Sequence, residues 1–400
     1  LSKEYSVVVV GGGLAGTYLA LNLIREGLEG GEVALVANEW PPYTKHVLVP
    51  IACGEDPSTA YLGVSKELIK SGVKVLNNCL AEGIDLSRNE VRARCGSDYL
   101  TIKFKYLVIA TGGKAFIPPI KGVNLRGITT LYTLDDATYL SKLRRSSKVL
   151  VVGAGLVGTS LTTKLISRGF RVGLIELKDH VLPQVIDHEL SKVVEEYLRS
   201  LGVVLKLGTE VIKFVGSGRV EGALLSNGFL STDAVVLTTG VRPNTGLIQG
   251  SGIELSGGAV VINDYGMTSV SNVFALGDCA LSKDLITGKY VYRPLGFVAA
   301  HYAKLIPKYL VRGEVVKDRG VLPTIYEELG GAYVVRVGLS ASEANSLGIP
   351  AEVRCGKEGN LHYCEVLSYG DLIGWEAVAT SHHHVIKSWM YYNEIAGNYG

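Results

Sequence analysis

The chain is a succession of short apolar runs, several of which stop abruptly at glycine. Ser6–Val10, Ser147–Val152, Tyr106–Ala110 and Ala234–Thr238 are almost uninterrupted apolar, the pattern of strands buried on both faces of a parallel sheet. Leu14–Arg25 and Leu156–Arg168 follow two of them with helical spacing, the second closed by Gly169. Glu32–Val36, Val73–Asn77, Arg171–Ile175, Val203–Leu207, Glu210–Val215 and Val220–Leu225 read as further strands. Glu67–Ser71 reads as a helix end, and Thr133–Leu143, Pro183–Leu201 and the stretch from Phe297 to Tyr309 as helices. Ala81–Asp85, Glu90–Arg94 and Tyr99–Phe104 resemble an antiparallel meander turning at Leu86-Ser87-Arg88-Asn89. From about Gly320 the pattern changes to alternation: Ala332–Val337, Ala351–Cys355, Leu361–Leu367 and Leu372–Ala379. A capping box, Ser340-Ala341-Ser342-Glu343, opens a short helix ending at Gly348, and His384–Ile395 reads as a terminal helix.

The glycines carry the candidate chemistry. Gly11-Gly12-Gly13-Leu14-Ala15-Gly16 follows the first strand at G-x-G-x-x-G spacing. Gly11 permits the tight turn, Gly13 admits a diphosphate to the backbone, and Gly16 lets helix and strand pack closely. The helix start directs free N–H groups and the positive dipole end at the phosphates. A second copy, Gly153-Ala154-Gly155-Leu156-Val157-Gly158, follows Ser147–Val152, and the next strand ends in Glu176. A carboxylate there accepts hydrogen bonds from a ribose 2′-OH and repels a 2′-phosphate, which favours NAD(H) over NADP(H). The plain alternative for Glu176 is a solvated strand-end acid. In the first half the corresponding place holds Ala37-Asn38-Glu39; Ala37 offers no side-chain acceptor, leaving Asn38, Glu39 or the backbone. Ala110-Thr111-Gly112 is echoed by Thr238-Thr239-Gly240, so the chain contains an internal repeat at domain scale. Asp278, after Gly277 at the end of a buried strand, reads as an acceptor for ligand hydroxyls, the alternative being a cap on the next segment. Leu295 and Gly296, just before the helix expected from about Phe297, complete the candidate cofactor contacts.

Composition narrows the class. Four hundred residues, 47% hydrophobic and 20% charged, describe a globular protein of two or three domains. A net charge of +2 without a basic run gives no case for nucleic acid. No apolar stretch is long enough to span a bilayer, and with the first strand starting almost at once no signal peptide is expected. Cys53, Cys79, Cys95, Cys279, Cys355 and Cys364 are scattered without a C-x-x-C pair, so reduced thiols and a cytoplasmic setting are expected. His382-His383-His384 is read as structural or solvated, and no metal site is expected. Two Gln and two Met in the whole chain point toward a thermophilic source.

Taken in order, the two glycine motifs, Ala110-Thr111-Gly112, Glu176, Thr239-Gly240-Val241-Arg242-Pro243-Asn244 and Gly277-Asp278 resemble the FAD- and NAD(P)-dependent pyridine nucleotide oxidoreductases. The resemblance is closest to the NADH oxidase, coenzyme A disulfide reductase and ferredoxin or rubredoxin reductase branches. It implies an α/β chain with two Rossmann-like domains of three-layer, parallel-sheet build and a C-terminal α+β interface domain. The expected boundaries are 1–118 with 246–319 for FAD, 119–245 for NAD(H), and 320–400 for a dimer interface. It implies that Asp278 meets the FAD ribityl chain, that the Ala81 backbone meets adenine, and that Lys45 meets a phosphate. It implies passage of electrons from NADH through FAD to oxygen, a quinone or a redox protein, in a homodimer. The family's redox cysteine falls near His46 in this sequence, and its glutamate beside the nicotinamide falls at Ser160. Cys53, seven residues beyond His46, defines an alternative as a coenzyme A disulfide or peroxide reductase. The departures at Ala37 and Ser160 define another, a non-catalytic flavoprotein sensor.

Overall fold

The computed structural model describes residues 3–380 and 385–399; the His382–His384 triplet lies outside them. The chain divides into two compact units. One comprises Leu1–Thr44, Ala60–Lys114 and Val241–Val321; the other comprises Lys45–Thr59, Ala115–Gly240 and Leu322–Gly400.

The first unit is organised by a seven-stranded sheet. Its order is Lys74–Asn77, Val33–Ala37, Lys3–Val10, Asp98–Ile109, Glu90–Cys95 and Cys79–Asp85, with Val273–Ala275 pairing to Asp98–Ile109. Lys3–Val10 has parallel neighbours on both sides, with Val8 opposite Ala34 and Leu107. Both its faces are covered, which is why Val7 to Val10 are all apolar and buried. Tyr99–Phe104 and Tyr106–Ala110 form one strand, Asp98–Ile109, rather than two. Lys105 alone separates them and is no turn former, so the strand continues. Its first half pairs antiparallel with Glu90–Cys95, and its second half pairs parallel with Val273–Ala275. The meander turn forms as expected: the Asp85 carboxylate accepts the Ser87 and Arg88 N–H groups at 3.0 and 3.1 Å, and Asn89 takes φ 54°.

The second unit contains a parallel five-stranded sheet in the order Val204–Lys206, Arg171–Ile175, Lys148–Val152, Ala234–Leu237 and Ile128–Thr130. It also holds the antiparallel sheet Thr324–Glu328, Tyr333–Gly338, Asp371–Ala379, Leu361–Ser368 and Glu352–Glu358. The helix expected over Pro183–Leu201 begins later and spans His188–Ser200. Asp187 is its extended N-cap, and the Val185 and Ile186 N–H groups turn back to the Leu182 carbonyl instead. Leu134–Ser141 opens on a reciprocal capping box between Thr133 and Asp136. At Ala341–Ser346, Ser340 Oγ accepts the Glu343 N–H at 3.0 Å, while the Glu343 carboxylate meets Arg336 at 3.1 Å. The terminal helix runs over Val385–Tyr399.

The internal repeat is visible atom by atom. Thr17 Oγ1 donates to the Gly12 carbonyl in the first unit, and Thr159 Oγ1 to the Ala154 carbonyl in the second. Thr111 Oγ1 donates to the Asn244 carbonyl at 2.6 Å; Thr239 Oγ1 donates to the Phe116 carbonyl at the same distance.

The cysteines depart from expectation. Cys79–Cys95 and Cys355–Cys364 are disulfides, each joining residues directly opposite on antiparallel strands. Spacing along the chain hid them because strand register, not a local motif, brings the thiols together. Cys53 and Cys279 are free and buried. Among the described residues no helix is long and apolar enough to cross a membrane.

Candidate functional site

Each unit presents the mouth of a glycine-capped helix that directly follows a buried parallel strand. Leu14–Arg25 has Gly13 as N-cap and Leu156–Ser167 has Gly155; neither is capped by a side chain, and neither has an acid in its first turn. The leading N–H groups therefore lack the side-chain acceptor that Thr133 and Ser340 supply to other helices, and they present a positive end to an anion. The glycines divide into two kinds. A Cβ on Gly11 would lie 2.0 Å from the Ala110 carbonyl oxygen, on Gly12 2.3 Å from the Ala37 methyl, and on Gly16 1.9 Å from the Gly11 carbonyl oxygen. Gly153 and Gly158 repeat this, with approaches of 2.5 Å to Thr238 O and 2.0 Å to Gly153 O. These residues are glycine because strand, turn and helix touch there. A Cβ on Gly13, Gly155, Gly112 or Gly240 meets nothing within 4 Å. Packing does not require glycine at Gly13 and Gly155, and each leaves the space a diphosphate needs against the backbone.

In the second unit Glu176 is buried at the end of its strand. Its Oε2 accepts the Ala154 N–H at 2.7 Å and its Oε1 accepts the Lys178 N–H at 2.9 Å. The carboxylate is thereby fixed beside the glycine turn, with lone pairs left for a ribose hydroxyl. Leu156 and Val157 form the first turn of the helix, and Val157 is exposed. In the first unit Ala37 is fully buried against Gly12, and the exposed Asn38 and Glu39 are the first polar side chains beyond it. Gly277, at φ 77°, approaches the Ala15 methyl, bringing the Gly277-Asp278 strand end against the first glycine turn. Near half-buried Asp278, Tyr292 Oη is buried without a hydrogen-bond partner. Burial, reinforced by the Asp278 charge, pushes the Tyr292 phenol above its ordinary range. An orphaned donor beside a carboxylate fits a hydroxyl-rich ligand such as the ribityl chain of FAD. Leu295 is the N-cap of the helix Gly296–Arg312, which packs on Leu14–Arg25.

Two further sequence candidates are Ala81, on a strand that contacts Val33–Ala37, and Lys45. Ala81 lies on the meander opposite Ala93, beside a register shift. Lys45 belongs to the second unit, where its ammonium lies 3.0 Å from the centroid of the Tyr132 ring.

Cys53 ends the helix Leu48–Ala52 and is 9% exposed. Burial pushes its thiol up to about 11, against the opposing charges of Arg168 and Lys164, so it is protonated at neutral pH. Ser160, fully buried in the helix Leu156–Ser167, faces the carboxyl group of Glu327 on Thr324–Glu328. Burial raises the Glu327 carboxyl; the Ser160 hydroxyl and the charges of His46 and Lys164 oppose it. Glu327 escaped sequence reading because its strand was not recognised and it is distant in sequence from the glycine motif. A carboxyl group thus arrives from another strand beside the position where the resemblance places one on the helix.

Residues 5–302 match the family model described as pyridine nucleotide-disulphide oxidoreductase. The chain belongs to this family. The glycine turns of a pyridine nucleotide-disulphide oxidoreductase serve FAD and NAD(H), and the open backbone at Gly13 and Gly155 fits both. An NADH oxidase from Methanocaldococcus jannaschii is 31% identical over 283 residues, 70% of this chain and 63% of that protein. The chain thus spans less than two thirds of that relative. The CoA-dependent NAD(P)H sulfur oxidoreductase of Pyrococcus furiosus is 30% identical over 348 residues, covering 86% of this chain and 78% of the relative. Among solved structures, an NAD-dependent persulfide reductase from A. fulgidus superposes with TM-score 0.89 at 25% identity, over 99% of this chain and 77% of that one. The NADH-bound water-forming NADH oxidase of Lactobacillus brevis shares the fold at TM-score 0.90 and 24% identity, over 98% and 91% of the two chains.

Proposed function

We propose that this pyridine nucleotide-disulphide oxidoreductase takes electrons from NADH into FAD and passes them to oxygen, a quinone or a small redox protein. One observation carries the reading: in each unit the helix after the G-x-G-x-x-G turn opens on a glycine N-cap with no side-chain cap and no acid in its first turn, and each has open backbone at its second motif glycine. FAD, when bound, supplies two-electron acceptance from the nicotinamide and release to the acceptor. The N–H groups following Gly13 and Gly155 hold the two diphosphates. Glu176 receives the ribose hydroxyls of NADH and opposes a 2′-phosphate. Asp278 and Tyr292 orient the ribityl chain, and Asn38 or Glu39 serves the FAD ribose in place of Ala37. Ala81 contributes its backbone to adenine. Cys53, kept as a buried thiol, supports an electron exit that needs no protein thiolate. The reading extends to a homodimer, for which Trp389 and Met390 on the terminal helix, 66% and 68% exposed, offer apolar surface.

Steady-state turnover with NADH and NADPH against oxygen, a quinone and a rubredoxin tests the proposal. Preference for NADH and turnover with at least one of these acceptors is expected. Flavin that NADH does not reduce would favour a sensor instead.

A further inference from the structure

Outside the dinucleotide sites, the segment after Glu176 brings three metal-ligating side chains together. Asp179 and His180 follow the strand Arg171–Ile175, and His188 is the first residue of His188–Ser200. Asp179 Oδ1 lies 2.7 Å from His180 Nδ1. The two imidazole rings stand at 82° with centroids 5.2 Å apart. One ligand atom from each of the three residues lies within 4.8 Å of the other two, the one such group among the described residues.

We infer that Asp179, His180 and His188 form a site for a divalent transition metal, with zinc the best match. Two imidazoles and one carboxylate suit zinc and its first-row neighbours, whereas calcium and magnesium prefer all-oxygen sets. On a tetrahedral zinc with bonds of about 2.0–2.1 Å, ligand atoms stand roughly 3.3 Å apart. Side-chain rotation takes the separations to that value, opening the 2.7 Å Asp179–His180 contact and drawing His188 in, because Asp179 and His188 are exposed. Water completes the tetrahedron. The backbone on both sides is already tied down, which lowers the entropy cost of binding. The Lys178 N–H donates to Glu176 Oε1 at 2.9 Å, the Gly208 N–H donates to the Lys178 carbonyl at 2.7 Å, and Ser191 Oγ donates to the Val181 carbonyl at 2.7 Å. A surface ion pair between Asp179 and His180 alone needs no second imidazole facing it. The bound ion pins the loop that starts at Glu176 to the start of the helix, a clamp rather than a reaction centre.

Any imidazole ligates zinc, so the His382-His383-His384 triplet is removed from the measurement. The full chain with all three replaced by alanine is titrated with zinc chloride by calorimetry, without flavin or nucleotide. One zinc per chain with micromolar affinity is expected, with a rise in thermal midpoint. His188→Ala and, separately, Asp179→Asn in that background should each weaken zinc binding at least tenfold and abolish the rise. Two variants guard against a helix disturbed by the first. Absence of micromolar binding, or a loss below tenfold in either variant, overturns the assignment.

Discussion

The Asp187 N–H donates to Glu376 Oε2 at 2.8 Å, across 189 positions of sequence. The same Asp187 sends its carboxylate to the Ala341 and Ser342 N–H groups at 2.7 and 3.1 Å, capping the helix Ala341–Ser346. Glu376 lies opposite Arg336 on the neighbouring strand, and both are buried. Burial, reinforced by the Asp187 charge, pushes the Glu376 carboxyl up to about 8, against the Asp187 N–H and Arg336. Between about 4.5 and 8 the folded chain holds a proton here that the unfolded chain has released. The associated stability is therefore complete below about 4.5 and is lost as pH rises through 8. Glu376→Gln stays neutral throughout. Its unfolding free energy, read by denaturant titration, should exceed that of the parent at pH 9 by at most about a few kcal/mol and match it near pH 5. Parallel curves for the two proteins would contradict the assignment.

The two kinds of motif glycine should separate in mutants. Gly16→Ala places a methyl 1.9 Å from the Gly11 carbonyl oxygen and should destabilise the fold by roughly 1–3 kcal/mol, read by denaturant midpoint. Gly13→Ala meets no protein atom within 4 Å, so stability without cofactor should be unchanged while FAD affinity falls tenfold or more. Gly155→Ala should do the same to NADH affinity alone.

Cys53 should prove chemically quiet. With its thiol raised to about 11 and only 9% exposed, alkylation by iodoacetamide at neutral pH should be far slower than for free cysteine. Cys53→Ser should leave NADH turnover within twofold of the parent. A collapse of turnover would revive the coenzyme A disulfide or peroxide reductase reading.

The Cys355–Cys364 bridge closes nine residues of chain, for which loop entropy gives roughly 2–3 kcal/mol. Replacing both cysteines with serine should lower stability by about that amount, read by denaturant midpoint. Denatured, unreduced protein should titrate as two thiols, Cys53 and Cys279, and reduced protein as six.

Much of this fold is legible in the sequence. Buried parallel strands announce themselves by unbroken apolar runs, so Lys3–Val10 and Lys148–Val152 were visible, as were the glycine turns between strand and helix. Ile128–Thr130, Gly228–Ser231 and Thr324–Glu328 were not: the first two are three and four residues long, and none carries a clean buried run. Missing the last concealed Glu327 beside Ser160. Both disulfides and the Asp187–Glu376 bond depend on long-range register and packing, which local periodicity does not encode.

The helix mouths at Gly13 and Gly155 are proposed to serve one electron path from NADH to FAD. Anaerobic titration of the FAD-loaded protein with NADH, followed in the visible flavin band, tests it most directly. One FAD per chain and full bleaching by about one equivalent of NADH are expected. Protein that stays colourless after incubation with excess FAD, or a flavin band untouched by excess NADH, would contradict it.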